Sequence, residues 1–265
     1  MSLLLMLWLS TVTVVPKGVI LIKGATPSAS DSSTPLPEQG SVAGGRYRNP
    51  YFGLSYPIPA GWNEQPAGPP PSDSGSYVLA EYALLDGARP KAWVLITAQD
   101  LFFGSPSRIE GAADEVTIAD RKFHRVVRTA PRTGLQWRVL STDTRCHALT
   151  FTFTGTDVAA LDAAEKGLRS LSLASDAAPL CLRDYADNAV EKTEAHFAQR
   201  FNTIPVRLII DAEGRVKHVH VLSAFPEQSE PIIAALRAWR FEPYVVDGRG
   251  VEVETGVVFG MGGGG

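Results

Sequence analysis

The sequence is poor in the residues that commonly mark catalysis, metal binding or nucleic-acid binding. Its 265 residues include two cysteines and five histidines, and the formal net charge is -3. Without an excess of basic residues the chain has no field that attracts phosphate backbones, so nucleic acid is not expected as a partner. No nucleophile elbow, zinc-protease motif or Cys-x-x-Cys pair occurs, and the glycine runs lack the context of a phosphate-binding loop. We therefore predict a protein that is not an enzyme and needs no cofactor.

Long apolar runs are confined to the first 25 residues. Residues 2–15 are nearly all apolar, Pro16 and Lys17 interrupt them, and residues 18–22 form a second apolar run. A membrane-spanning helix needs about 20 apolar residues, whereas the first run alone has roughly the length of a signal-peptide core. A cleaved signal peptide and an uncleaved membrane anchor both stay open. Either one predicts an exported chain whose only membrane contact is this segment.

Composition predicts two folded regions after this segment. Residues 26–45 are rich in Pro, Ser, Gly and Thr, which predicts a flexible linker. Residues 46–175 contain short alternating runs, which predict strands, and helical spacing over residues 109–116 and 158–171. Residues 183–262 follow as a smaller unit, and residues 263–265 as a glycine tail.

The smaller unit has a clear order of elements. Apolar residues alternate over residues 206–210 and 216–222 on either side of a turn that contains Gly214, which predicts a β-hairpin. A last strand is predicted over residues 251–259. Because this strand joins a small antiparallel sheet late, we expect it at the sheet edge, where its backbone is open to a partner.

Two helices complete this unit. One is predicted over residues 183–201, and the other over residues 230–240, with Ser229 as N-cap and Pro231 in the first turn. The predicted fold class is α+β with two domains. The first is an antiparallel-sheet α/β/α sandwich, and the second is a small domain with two helices and a three-stranded antiparallel sheet.

Motifs in the second unit resemble a known family. The order hairpin, helix and strand, with Gly214-Arg215-Val216 in the hairpin and Trp239-Arg240-Phe241-Glu242-Pro243 after the helix, resembles the C-terminal domain of TonB. TonB carries inner-membrane energy to outer-membrane receptors. The resemblance covers residues 183–262. Gly214, Trp239, Phe241 and Pro243 are expected to build the fold rather than to touch a ligand.

The resemblance to TonB implies a partner and a location. An extended segment of an outer-membrane receptor, or of another envelope protein, would pair with the last strand by β-augmentation. The chain would work in the periplasm, free or anchored in the inner membrane. A homodimer through the same edge is the other partner prediction. The predicted contact residues are Val251, Glu252, Val253, Glu254, Thr255 and Val257.

Departures from TonB leave a second function class open. The linker is short, an extra domain precedes the TonB-like unit, and the apolar N-terminal run contains no His or acidic residue. Energy transduction to outer-membrane transport receptors is therefore one alternative. The other is a secreted or envelope structural or accessory protein, whose two domains form an interaction platform with no transport role.

The first folded region resembles a different family. Asn49-Pro50-Tyr51-Phe52-Gly53-Leu54 and Pro59-Ala60-Gly61-Trp62 at its start, with Leu168-Arg169-Ser170-Leu171 at its end, resemble PsbP-like α/β/α sandwiches of secreted bacterial proteins. This resemblance covers residues 46–173. It implies an antiparallel sheet covered by helices and no particular function.

The two cysteines predict a structural disulfide. An even cysteine count in an exported chain favours pairing, here between Cys146 and Cys181. The catalytic alternative is a Cys146 nucleophile with the neighbouring His147 as its base. Adjacent residues on a strand point to opposite faces, so the disulfide is preferred.

Two histidines are the metal-ligand candidates of the chain. His218 and His220 lie two apart on a predicted strand and share one face, which Glu252 and Glu254 of the last strand could complete. The simpler interpretation makes this a solvated face with cross-strand charge pairs. We therefore predict no metal.

Overall fold

The computed structural model describes residues 29–30, 35–66, 75–103, 114–174, 179–196 and 203–260. The predicted signal peptide or anchor, residues 1–25, and the glycine tail, residues 263–265, both lie outside these ranges. Within the described ranges no helix is both long and apolar enough to cross a membrane.

The elements up to residue 170 are mostly strands. In chain order they are β1 (Ala29–Ser30), β2 (Ser41–Ala43), β3 (Arg46–Asn49), β4 (Leu54–Pro57), β5 (Asn63–Glu64), β6 (Ser76–Asp86), β7 (Arg89–Asp100), β8 (Asp114–Ile118), β9 (Arg121–Thr129), β10 (Gln136–Thr144), β11 (His147–Gly155), α1 (Val158–Lys166) and a 3-10 helix (Gly167–Ser170).

A seven-stranded antiparallel sheet organises the first hydrophobic core. Its strand order is β5-β6-β7-β11-β10-β9-β8, and β2-β3-β4 form a separate small sheet. Along β11, buried Leu149, Phe151 and Phe153 alternate with partly exposed threonines, because successive side chains point to opposite faces. The buried face packs on α1 and on β4, whose Tyr56 hydroxyl donates to the Ala164 carbonyl at 2.9 Å.

The remaining elements build a second, smaller core. They are β12 (Leu180–Cys181), a 3-10 helix (Tyr185–Asn188), β13 (Ala189–Glu191), β14 (Ile204–Ile210), β15 (Val216–Val221), α2 (Pro226–Ala238), β16 (Arg240–Phe241), β17 (Val245–Val246), β18 (Arg249–Gly250) and β19 (Val253–Phe259). The main sheet has the order β1-β15-β14-β19-β12, in which β12 runs parallel to β19. Ile232 and Leu236 of α2 pack on its apolar face, against Val206, Leu208 and Val219.

These elements confirm the α+β class, with mostly antiparallel sheets and two α-helices. Several finer predictions are wrong. Residues 185–188 form a 3-10 turn and residues 189–191 a strand, where a helix over residues 183–201 was expected. Residues 114–116 belong to β8, while residues 109–113 of the other predicted helix lie outside the described ranges. The main sheet of the second core has five strands rather than the predicted three, because β1 and β12 are added at its two edges.

The helix α2 begins four residues before the predicted start. Pro226 occupies the first helical position, where its missing N–H costs no hydrogen bond. The Gln228 side chain accepts from the Phe225 N–H at 3.1 Å, which caps this end. Ser229, the predicted N-cap, is buried inside the helix, and Pro231 also lies inside it.

The predicted flexible linker contributes ordered strands. Ala29 pairs with Val221 of β15, and β2 pairs with β3. Pro37 is buried, and its carbonyl accepts from the Asn49 side-chain amide at 2.6 Å. Backbone pairing needs no large apolar side chain, so composition alone missed this order.

Gly214 occupies a position that a side chain cannot fill. Its φ is +79°, and its carbonyl accepts from the Phe241 N–H at 2.9 Å. A Cβ at this position would lie 2.0 Å from the Phe241 carbonyl oxygen. Phe241 in turn is buried and stacks on Tyr185, while buried Trp239 donates its indole N–H to the Thr193 carbonyl at 2.9 Å.

We expect Gly214→Ala to lower the free energy of unfolding by about 2 to 3 kcal/mol, from the left-handed backbone and the clash together. Gly248→Ala is the matched control, because Gly248 has φ +76° and nothing within 4 Å of its added Cβ. That control should cost only about 1 kcal/mol. Urea unfolding followed by tryptophan fluorescence measures both values, and equal losses in the two variants would contradict the steric argument.

Candidate functional site

The two cores meet across the face of the five-stranded sheet that lies opposite α2. Arg207 of β14 stands in the centre of this face, in register with His220 of β15 and Gly256 of β19. Its neighbours along β14 point to the other face, into the second core. Leu222, which follows β15, packs in the first core. This face is therefore an internal interface.

A buried ionic cluster, formed by Asp100, Arg207 and Glu254, lies in this interface. The three side chains are at most 3% exposed. Arg207 Nε lies 2.8 Å from Asp100 Oδ2, and Arg207 Nη2 donates to Glu254 Oε1. The other carboxylate oxygen of Asp100, Oδ1, accepts from the Phe102 N–H at 2.7 Å, and the Tyr51 hydroxyl donates to Glu254 Oε1 at 3.4 Å. One guanidinium thus joins a carboxylate of each core.

Burial changes the pKa of Asp100 in this cluster. Desolvation raises the pKa of Asp100, because the charged carboxylate loses its water, while Arg207 and the Phe102 N–H act against this shift. The Arg207 guanidinium also lies over the Tyr51 ring, 5.3 Å from its centroid. Each charge in the cluster depends on its partners, so the cluster fixes how the two cores face each other.

His147 lies beside the cluster and stays neutral. Its Nδ1 is 2.6 Å from the Arg145 carbonyl oxygen, so Nδ1 carries the proton and donates it there. Its Nε2 lies 3.7 Å from Asp100 Oδ2. Complete burial and the positive charge of Arg207 hold the pKa of His147 well below its ordinary value of 6.5. The aromatic rings that pack around the imidazole are those of Tyr51, Phe52 and Tyr77.

This depressed pKa predicts acid sensitivity. Below an ordinary pKa of about 6.5 the unfolded chain binds a proton at His147 that the folded chain refuses, so stability present above that pH is lost as pH falls. Between about pH 7 and pH 5.5, wild type should lose about 1 kcal/mol more unfolding free energy than His147→Asn, whose amide can still donate to Arg145. Urea unfolding at both pH values gives the difference, and parallel pH profiles would contradict it.

The predicted disulfide is confirmed. Cys146 and Cys181 are bonded, with 5.5 Å between their Cα atoms. Cys146 lies in the two-residue turn between β10 and β11, where Arg145 and Cys146 have φ values of +46° and +59°. Residues other than glycine take this conformation at a cost, and here both side chains reach the interface. Arg145 lies over the Tyr51 ring and donates to the Tyr51 carbonyl at 2.8 Å.

The solvated face predicted for the histidine pair is wrong in part. His220 is 7% exposed and Glu254 is 2% exposed, because the first core covers this face. Lys217 of β15 and Glu252, which precedes β19, do form a partly exposed charge pair at 2.6 Å. In the described ranges, no group of three or more His, Cys, Asp or Glu side chains is placed to hold a metal ion. Of the two carboxylates considered as partners of His218 and His220, Glu254 contacts Arg207 and Glu252 contacts Lys217 instead.

Backbone direction along β19 decides which residues can meet a partner strand. The Leu222 N–H donates to the Pro205 carbonyl, so the backbone of Pro205 faces β15. Pro205 pairs with Val258, whose N–H and C=O must therefore face away from β14, toward the outer edge. By the same alternation, the backbone N–H and C=O groups of Glu254 and Gly256 also face the outer edge. The sequence had identified neither Gly256 nor Val258.

The predicted contact residues divide into three groups. Val253, Thr255 and Val257 direct their backbone groups inward to β14. Glu252 and Glu254 face outward, but their carbonyls already accept from β12. Val251 precedes the strand, and its N–H donates to the Tyr244 carbonyl at 2.9 Å. The outer edge beyond Glu254 pairs with no other strand in the described part of the chain.

A cavity of about 720 Å³ lies outside the interface, between α1 and strands β8 to β10. Its charged lining includes Arg138, which is 3.0 Å from Glu165 and 2.6 Å from Asp162. Arg125 bonds the same Glu165 at 2.7 Å. These charged side chains form ion pairs with one another, and the pairs hold α1 on the sheet.

Fold and interface together define an α+β protein in which two hydrophobic cores are joined by a buried ionic cluster and a disulfide. Comparison with protein-family models, with curated proteins and with solved structures finds no match to this chain. The likeness to TonB and to PsbP-like domains therefore rests on the sequence motifs.

Proposed function

We propose that the chain is an exported, non-catalytic, TonB-like periplasmic protein that binds an extended segment of a protein partner along the outer edge of β19. One observation carries this proposal. Gly256 and Val258 direct their backbone groups outward, and no described strand pairs with them. An extended segment of an outer-membrane receptor or of another envelope protein fits such an edge by β-augmentation.

The short edge implies weak binding. Each backbone hydrogen bond contributes about 0.5 to 1.5 kcal/mol net, so two outward residues supply only a few kcal/mol. That corresponds to a dissociation constant on the order of millimolar before side-chain contacts are added. The Val258 side chain is 53% exposed and supplies one such apolar contact.

Peptide titration tests this proposal with a matched pair of variants. Fluorescent peptides copied from the N-terminal boxes of outer-membrane receptors are titrated with the full chain at concentrations up to about millimolar, the affinity expected of a short edge. Val258→Pro removes one outward N–H without removing an internal ladder bond and should abolish binding. Val258→Ile keeps both that N–H and an apolar side chain and should bind like wild type. No binding of any peptide to the folded wild type would refute the proposal.

A second candidate function follows from the interface. The ionic cluster and the disulfide tie the two cores together, as an envelope accessory protein with a two-domain platform requires. This function predicts a folded chain that binds no receptor peptide. Light scattering against concentration separates it from the remaining alternative, a homodimer through the β19 edge, because only the dimer doubles in mass.

A further inference from the structure

The strand β12 lies on the same edge that the proposed partner would use. Its Leu180 N–H donates to the Glu252 carbonyl at 2.9 Å, and the Leu182 N–H that follows it donates to the Glu254 carbonyl at 3.0 Å. These are the hydrogen bonds of strand addition, made by the chain's own residues. The β12 strand therefore covers the first half of the outer edge of β19.

Side-chain packing does little to hold this strand. Leu180 is 41% exposed, and Cys181 is also exposed. The firm attachment is covalent, since Cys181 is bonded to Cys146, which is 3% exposed in the turn between β10 and β11. Beyond the strand, Leu182 packs against the second core and Arg183 donates to the Leu101 carbonyl. Only Leu180 and Cys181 depend chiefly on the disulfide.

We propose that β12 is an internal occupant of the partner-binding edge and that reduction of the Cys146–Cys181 disulfide releases it. The outer edge of β19 would then open at Glu252, whose carbonyl Leu180 covers in the oxidised protein, while Leu182 keeps its bond to the Glu254 carbonyl. This inference rests on the proposed function, because it describes the regulation of the same edge. The edge is therefore more open in the reduced protein than in the oxidised one.

Reduction of the Cys146–Cys181 disulfide by thiol–disulfide exchange requires a dithiol reductant of the envelope. A thiolate of the reductant attacks the exposed Cys181 sulfur, the S–S bond breaks, and Cys146 leaves as a thiolate that takes up a proton. The second thiol of the reductant then attacks the mixed disulfide, frees Cys181 and leaves the reductant oxidised. Two electrons pass to the protein. The Cys146 sulfur lies 3.4 Å from Glu254 Oε2.

Three forms of the full chain separate this inference from the proposed function. These are oxidised wild type, wild type in dithiothreitol, and oxidised Leu180→Pro, which loses the N–H donated to Glu252 but keeps the disulfide. All three are titrated with the same receptor-box peptides. Dithiothreitol-treated wild type should bind about tenfold or more tightly than oxidised wild type, because the backbone of Glu252 becomes available. Oxidised Leu180→Pro should bind like oxidised wild type, because its disulfide still holds Cys181 at the edge.

The control is Cys146→Ser with Cys181→Ser, which should bind like reduced wild type with and without dithiothreitol. Hydrogen exchange of the Leu180 and Leu182 amides should speed up on reduction, most strongly at Leu180. Equal affinity of the oxidised and reduced forms, or unchanged Leu180 exchange, would overturn this inference and leave the proposed function standing. Failure of all three forms to bind would refute the proposed function itself.

Discussion

Arg207→Met is expected to lower the free energy of unfolding by about 3 to 5 kcal/mol. Methionine fills much of the same volume, but it leaves the Asp100 and Glu254 carboxylates buried without their shared cation. Both are at most 2% exposed, so water cannot replace the guanidinium. An uncompensated buried charge costs far more than a lost surface contact. Urea unfolding at neutral pH measures the change.

Arg215→Met provides the comparison for this result. Arg215 also contacts two carboxylates, Asp211 at 2.9 Å and Glu213 at 3.0 Å, but its side chain is 59% exposed. We expect a loss below about 1 kcal/mol there. Losses of similar size in Arg207→Met and Arg215→Met would contradict the view that burial gives the cluster its importance.

Loss of the disulfide is expected to lower the free energy of unfolding by roughly 3 to 4 kcal/mol. The disulfide joins cysteines 35 residues apart and so reduces the conformational entropy of the unfolded chain. The variant Cys146→Ala with Cys181→Ala should unfold at correspondingly lower urea. A reductant should bring wild type to the same midpoint and leave the variant unchanged. A variant as stable as oxidised wild type would show that the interface alone holds the two cores.

Local sequence patterns correctly predicted the β14–β15 hairpin and its turn. Alternation over residues 206–210 and 216–222 predicted the β14–β15 hairpin, and Gly214 predicted its turn. The disulfide followed from cysteine number alone. By contrast, the helix expected over residues 183–201 fails because tertiary contacts decide this segment. There the Tyr185 hydroxyl donates to the Glu242 carbonyl at 2.6 Å, and its ring stacks on Phe241.

The interface could not be predicted in the same way. Arg207 and Glu254 each stand at a polar position of an alternating strand, which is also the pattern of a solvated face. Asp100 instead ends the buried face of β7, in phase with Ile96 and Ala98. Nothing local distinguishes a face covered by water from a face covered by another core. The one available signal was Arg207, a lone charge between Val206 and Leu208 in the strand that became the centre of the sheet.

Contacts across the interface also govern the order in which the chain can fold. The hydrogen bond between Tyr51 and Glu254 spans 203 residues, and the contact between the Cys146 sulfur and Glu254 spans 108. Such distant pairings form late, because a long loop must close before they contribute. During synthesis Asp100 and His147 emerge well before Arg207, so these two polar residues stay uncovered until the second core has been synthesised. We expect assembly of the interface to be the slowest step in the maturation of the protein.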